Sequence, residues 1–213
     1  MKRIMLFAAI VLWAIAPSRV QAQWTVGPHV LISFPNSDFA NVSQTGGGFG
    51  IKVARKMTAL GGVGLRGDFG YLSYGRDVTT VPTNFGTYLG EIRNNAFRLT
   101  FGPEYVFGTR NFKAHVGVLG GFYFFRTDIN ITDGFNQFTA ASDNEADLGW
   151  SAGGGLMYDI GLGPWLDVAV EYQSIYNVPS PRVDPANPEG EPIKRDITAH
   201  EITLKIGVIF FLK

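Results

Sequence analysis

Apolar and polar residues alternate with a period of two along most of this chain. Residues 112–125 read FKAHVGVLGGFYFF, in which the even-numbered positions from Phe112 to Phe124 are apolar or Gly, with Lys113 and His115 between them. This alternation indicates β-strands with two different faces, because successive side chains of a strand point to opposite sides. Eight such segments can be placed, at approximately 24–34, 47–56, 61–74, 95–107, 112–126, 147–159, 165–176 and 197–212.

The lengths of the segments and of their links favour a membrane barrel. Each segment has about 10–16 residues, whereas strands of soluble sheets have about 5–6 and a membrane-spanning strand needs about 9–11. Short links at 57–60, 108–111 and 160–164 alternate with long polar links at 35–46, 75–94, 127–146 and 177–196. Outer-membrane barrels have short periplasmic turns and longer external loops. We therefore predict an all-β fold, an eight-stranded antiparallel up-and-down transmembrane β-barrel.

Aromatic residues on the apolar faces gather near both ends of the segments. A lipocalin-like barrel hides its apolar face, whereas a membrane barrel turns it to the lipid and carries aromatic girdles at both interfaces. The distribution predicts two such girdles. Their members are Trp24, Phe34, Tyr71, Phe97, Tyr105, Phe107, Phe112, Phe124, Trp150, Tyr158, Trp165, Tyr172, Tyr176 and Phe210.

The opposite faces carry balanced charges interleaved with Gly. In a narrow barrel interior every buried charge needs a partner, so five cations and five anions predict a paired charge network in the lumen. Its predicted members are Lys52, Arg66, Asp68, Arg98, Glu104, Lys113, Asp167, Glu171, Glu201 and Lys205. Re-pairing of such charges could open a narrow conductance, which makes a gated pore one alternative function.

The N-terminus indicates export. A cationic lead at Lys2 and Arg3 precedes an uncharged apolar run of 13 residues, and VQA at 20–22 is typical of a cleavage site, so we predict a signal peptide at 1–22 and a barrel domain at 23–213. The chain has no cysteine, hence no disulfide framework, and residues 23–213 carry 15 Lys and Arg against 18 Asp and Glu. This charge excludes a basic nucleic-acid surface.

The last strand ends in KIGVIFFLK, which resembles the C-terminal assembly signal of outer-membrane proteins at Lys205, Gly207, Phe210 and Leu212; the final Lys213 departs from that pattern. With the strand layout, the chain is similar to the small barrels of the outer membrane protein β-barrel domain family, of the OmpA transmembrane domain and OmpX type. The resemblance implies an integral protein of a Gram-negative outer membrane. It also implies contact with outer-membrane lipid and lipopolysaccharide, and with the barrel-assembly machinery and periplasmic chaperones. It names no external partner.

Residues for catalysis are sparse. His29 and His115 fall in the lumen register, and His200, beside Glu201 and Asp196, is the one candidate for a lipid A-modifying enzyme. The GxGxxG pattern at 62–67 opens a strand rather than a helix, which is atypical of a dinucleotide site. We predict no cofactor and no metal. The favoured function is a structural or surface-interaction role through the external loops, without catalysis; the gated pore and the lipid A enzyme are the alternatives.

Overall fold

The computed structural model describes residues 23–41, 43–57, 62–83, 86–132, 137–161, 163–179 and 196–212. The predicted signal peptide lies outside the described residues. A short 3-10 helix at Ser37–Asn41 follows the first strand. The strands are β1 (Gln23–Asn36), β2 (Gly46–Lys56), β3 (Val63–Thr83), β4 (Gly86–Gly108), β5 (Phe112–Thr132), β6 (Gln137–Asp159), β7 (Trp165–Pro179) and β8 (Asp196–Leu212).

The eight strands form a closed barrel in sequence order. Each strand is antiparallel to the next, and β8 closes onto β1 with Trp24 opposite Leu212. Closure leaves no open sheet edge in the lipid, where an unsatisfied backbone group is costly. The predicted eight-stranded up-and-down barrel is confirmed. No helix in the described part of the chain combines the length and the hydropathy needed to cross a bilayer.

The exterior of the barrel is apolar. Val30, Phe49 and Val118 are 58%, 61% and 54% exposed, and many other large apolar side chains are similarly accessible. Contiguous apolar surface of this extent is foreign to monomeric soluble proteins and fits a barrel whose outer face contacts lipid.

Two of the predicted long loops are not loops. β3 and β4 remain paired as far as Thr83 opposite Gly86, and β5 and β6 as far as Thr132 opposite Gln137. The predicted loops at 75–94 and 127–146 are therefore wrong as loops, because their described residues continue the strand ladders. Residues 76–83, 86–93, 128–132 and 137–144, named the outer sheet below, form a four-stranded sheet, since β4 also pairs with β5 out to Leu89 opposite Thr132.

The outer sheet stands beyond the membrane. Residues 86 to 97 of β4 cover roughly 36 Å of strand at about 3.3 Å per residue. The apolar band of such a barrel is only about 25 Å tall. Residues 97 to 107 of β4 already cover about 33 Å of tilted strand, enough to cross this band, so most of the outer sheet lies outside the lipid. Of the other two predicted loops, 35–46 holds the 3-10 helix, and residues 180–195 of the fourth lie outside the described residues.

Candidate functional site: the lumen and its two ends

Ten charged or titratable side chains from seven strands form a connected charge network at the middle of the lumen. They project from the polar register of β1, β2, β3, β4, β5, β7 and β8, where period-two alternation directs them inward. The network consists of His29, Lys52, Arg66, Asp68, Arg98, Glu104, His115, Asp167, Glu171 and Lys205.

The half of the network nearer the outer end is built on two carboxylates. Asp68 contacts Arg66 at 2.7 Å, Arg98 at 3.0 Å and Lys205 at 2.9 Å. Glu171 contacts Arg66 at 2.5 Å and Lys205 at 2.6 Å. Each carboxylate therefore has several cationic partners, which offsets the cost of removing its charge from water.

The inner half of the network is built on Glu104 and Asp167. Glu104 contacts Lys52 at 2.8 Å, Arg66 at 3.3 Å and His115 at 3.2 Å. The His115 ring also lies 2.9 Å from Asp167, which is 3.7 Å from Lys52. Arg66 thus joins the two halves. The sequence placed His115 in the lumen but gave no indication that it links two carboxylates.

β6 contributes glycines where the other strands contribute charges. A Cβ on Gly153 would lie 2.2 Å from the Val170 carbonyl oxygen and 2.7 Å from Cγ of Glu171, and a Cβ on Gly155 would lie 2.6 Å from Nε2 of His115. The absence of side chains at these two residues leaves room for the backbone and the charged groups of the neighbouring strands. The Gly-rich lumen pattern in the sequence is thereby explained by volume.

The outer mouth of the lumen holds an apolar cluster, the outer cap. Phe39 of the 3-10 helix is 1% exposed, and its ring meets Tyr74 edge-on at 5.3 Å and Phe125 at 6.1 Å between centroids. The first external link therefore folds into the barrel rather than away from it. The outer cap consists of Leu31, Phe39, Leu72, Tyr74, Ala96, Tyr123, Phe125, Ile175, Val178, Ile197 and Ala199.

Glu201 lies between the outer cap and the charge network, and its predicted pairing with a lumen cation is wrong. Its Oε2 accepts hydrogen bonds from the Ser33 and Tyr74 hydroxyl groups, both at 2.6 Å. In the described part of the chain no cation lies within ion-pair distance of this carboxylate. The hydroxyl groups of Ser33 and Tyr74 therefore take the place of a cationic partner.

At the inner end of the lumen, the predictions for Lys113 and Trp165 are both wrong, because Trp165 faces the lumen and holds the Lys113 ammonium there. Lys113 lies outside the charge network because its Nζ sits over the rings of Trp165 at 4.2 Å and Phe211 at 4.5 Å. Trp165 is 8% exposed and packs against Met157 and Ile209, so it is not a girdle residue. Trp165 shares its strand face with Asp167, and the alternation therefore turns it inward despite its terminal position.

The remaining predicted girdle residues lie on the outside of the barrel. Tyr71 is half-buried, with its ring 4.8 Å from that of Phe97, and the others are exposed. The exposed residues are Trp24, Phe34, Phe97, Tyr105, Phe107, Phe112, Phe124, Trp150, Tyr158, Tyr172, Tyr176 and Phe210.

The residues of the C-terminal pattern have different surroundings. Lys205 belongs to the charge network, and Phe210 and Leu212 face the lipid. A Cβ on Gly207 would come within 2.3 Å of the Pro28 carbonyl oxygen, so this position at the β1–β8 seam has no room for a side chain. Reading of the pattern by the assembly machinery stays a prediction. The unusual last residue, Lys213, lies outside the described residues.

The predicted catalytic candidates are not assembled. His200 is on the lipid-facing side, where its Nδ1 lies 2.8 Å from the Tyr172 hydroxyl, whereas Glu201 faces the lumen. Gly64 and Gly67 of the GxGxxG pattern lie inside β3, and no helix opens there. Within the described ranges, no group of three or more His, Asp and Glu side chains is arranged to hold a metal ion.

Sequence reasoning missed the outer cap and the outer sheet, although both left a signal. Phe39 is the one aromatic residue in the polar link PNSDFANVSQTG. The predicted loops contain VTTV at 78–81 and INIT at 129–132, whose β-branched residues favour strands.

Comparison with known proteins shows which family and which solved structures this barrel is similar to. The family described as "Outer membrane protein beta-barrel domain" matches residues 5–210. No curated protein matches the chain. Neisserial surface protein A is similar in structure, with 15% identity, a TM-score of 0.51, and coverage of 88% of this chain and 96% of that chain.

Two further solved structures show the same architecture. Ail, the attachment invasion locus protein of Yersinia pestis, has 15% identity and a TM-score of 0.51, with coverage of 89% of this chain and 99% of its own. A major outer membrane protein from Thermus thermophilus has 12% identity and a TM-score of 0.55, with coverage of 90% and 100%. At these identities the likeness shows the fold alone. From the family match over nearly its whole length, the chain belongs to the outer membrane protein beta-barrel domain family and is an integral protein of the outer membrane.

Proposed function

We propose that this protein is a non-catalytic outer-membrane surface protein that binds an external partner through its outer sheet. The observation that supports the proposal most strongly is the continuation of β3–β6 as a four-stranded sheet well beyond the outer aromatic girdle. Recognition residues of such proteins sit on external segments held by a rigid scaffold. An ordered sheet presents a fixed surface, so that little conformational entropy is lost on binding.

The contents of the barrel support a scaffold role. The outer cap, the charge network and the cluster around Trp165 occupy successive levels of the lumen between its two ends. A barrel filled in this way holds the base of the outer sheet in one geometry. The partners that the family resemblance implies (outer-membrane lipid, lipopolysaccharide, the assembly machinery and chaperones) belong to the same proposal.

Removal of the outer sheet tests the surface role. In the variant, Tyr74 is joined to Asn94, and Thr127 to Asp143, each pair being opposite in the ladder, through an Asn-Gly turn that suits a two-residue hairpin. Cells displaying the intact or the shortened protein at equal surface level are compared for adhesion to host-cell monolayers and for cross-linking to external proteins. We expect binding to be lost while heat-modifiability on gels is kept. Equal adhesion by both variants would contradict the proposal.

A gated pore is a second candidate because the lumen carries a charge network that can in principle re-pair. Conductance would require displacement of two barriers in series, the outer cap and the charge network. We therefore expect planar bilayers with the intact protein to show no steady conductance, and substitution of Arg98 or Glu104 alone to leave the traces unchanged. Channel opening by either single substitution would favour the pore.

Mass spectrometry of lipid A from cells with and without the protein tests for catalysis, and we expect identical spectra.

A further inference from the structure

The inner end of the lumen contains a cavity of about 40 Å³ on the β1–β4 side. It exists because that side carries small residues, including Ala54, Gly62 and Gly64, while Met157 and Phe211 fill the opposite side. A single water molecule needs a cavity of at least about 10–15 Å³. The cavity therefore has room for a small polar group of a few heavy atoms, such as a phosphate or a carboxylate.

The walls of this cavity are strongly cationic. Lys52, Lys56 and Lys113 line it, against the single carboxylate of Glu104. Arg55 also borders the cavity, but its guanidinium lies over the Trp24 ring, 5.4 Å from the centroid. The Glu104 carboxylate is already engaged by Lys52 at 2.8 Å and by two further groups of the charge network. The field in the cavity is consequently positive, and low-dielectric walls strengthen such a field.

Two of the lysines have hydrogen-bond donors to spare. In the part of the chain that the structure describes, no carboxylate forms an ion pair with Lys56 or with Lys113. The aromatic rings of Trp165 and Phe211 hold the Lys113 ammonium by cation–π contact, which fixes its position without accepting all three of its N–H groups. Lys56 is exposed at the rim, where an incoming anion would meet it first.

We propose that this cavity is a binding site for a phosphate group presented from the periplasmic side. Lys56 attracts the anion at the rim, and Lys113 and Lys52 donate to its oxygens inside. The same chemistry is offered by free inorganic phosphate and by the head group of an anionic phospholipid in the inner leaflet. The site is independent of the outer sheet and of the surface role proposed above.

The test uses protein purified from outer membranes into maltoside micelles, which contain no phosphate. Inorganic phosphate is titrated while backbone amide NMR shifts are followed, with sodium chloride at equal ionic strength as the reference for screening. We expect saturable shifts at the inner ends of β2 and β5 with an apparent Kd of about 1 mM, and Lys56→Gln to weaken binding roughly tenfold. Lys113→Gln should weaken it at least as much. Arg110→Gln, which removes a charge from the exposed turn at the same end but outside the cavity, should have no effect.

The lipid source is examined by adding short-chain phosphatidylglycerol or, as an uncharged match, short-chain diacylglycerol to the same micelles. Shifts at the same amides with phosphatidylglycerol alone support the site and identify a lipid head group as its occupant. Shifts with inorganic phosphate alone support the site and identify the free ion. Shifts that fail to saturate, or that persist unchanged in Lys56→Gln, a surface variant whose folding is not at issue, overturn the proposal.

Discussion

The energy of one buried ion pair in the charge network can be measured at Arg66 and Glu171. Arg66 contacts Glu171 at 2.5 Å, Asp68 at 2.7 Å and Glu104 at 3.3 Å, and all of these side chains are almost excluded from solvent. Removal of one partner from a buried ion pair costs about 3–5 kcal/mol, because the other charge stays buried. Arg66→Gln should lower the free energy of unfolding by an amount in that range, since it removes a cationic partner from three carboxylates.

Glu171→Gln should lower the free energy of unfolding by less than Arg66→Gln does. Its partners Arg66 and Lys205 both keep Asp68, at 2.7 and 2.9 Å. The double variant should be less destabilised than the sum of the two single variants, because the contact is lost only once. We expect a coupling energy of about 1.5–3 kcal/mol, the usual worth of a hydrogen bond between charged groups.

Reversible urea unfolding in phospholipid vesicles, followed by tryptophan fluorescence, supplies the four free energies of unfolding. The matched control is the exposed pair of Arg126 and Asp128, whose groups lie 3.0 Å apart with the Arg side chain 60% exposed. Solvent screening should reduce the control coupling to about 0.5 kcal/mol or less. If the coupling between Arg66 and Glu171 does not exceed that of the control, the argument from burial is refuted.

Three further predictions concern the outer cap, the lumen glycines and the terminal strand. Phe39→Ala should lower the free energy of unfolding by about 3–5 kcal/mol, as truncation of a buried Phe does, measured in the same vesicles. Gly153→Ala should reduce the folded, heat-modifiable fraction because its Cβ would lie 2.2 Å from the Val170 carbonyl oxygen, whereas Gly120→Ala, with its nearest neighbour atom at 3.9 Å, should fold normally. Phe210→Ser should slow insertion of newly made protein in pulse-chase assays if the terminal pattern is an assembly signal, and an unchanged rate would argue against that role.

Trp165 shows that the alternation of a strand overrides the general preference of a residue type. The alternation of β7 assigns Leu166 and Val168 outward and Asp167 inward, so the residue before Leu166 belongs inside. The prediction followed instead the general preference of Trp for membrane interfaces. Strand geometry decided the outcome, because a period of two leaves no freedom to rotate one residue out of register.

The outer sheet shows a different limit. The polar composition of 75–94 and 127–146 is that of a surface segment, and polar residues suit a solvated strand as well as a loop. The β-branched VTTV and INIT segments favour strands, but only the pairing of β4 with β5 joins the two distant segments into one sheet, and a local pattern does not show such a long-range ladder.

By itself the sequence determined the number of strands within the membrane, the face on which nearly every residue lies, and the closure of KIGVIFFLK against the strand that begins near Trp24. Lipid outside and a narrow lumen inside impose a strict alternation, which is readable residue by residue. The tertiary structure alone decided which charges meet, that Phe39 enters the outer mouth, and that Lys113 rests on Trp165 and Phe211 rather than on a carboxylate. Those outcomes depend on how high each side chain lies along the barrel axis, and that height is set by the stagger of eight strands together.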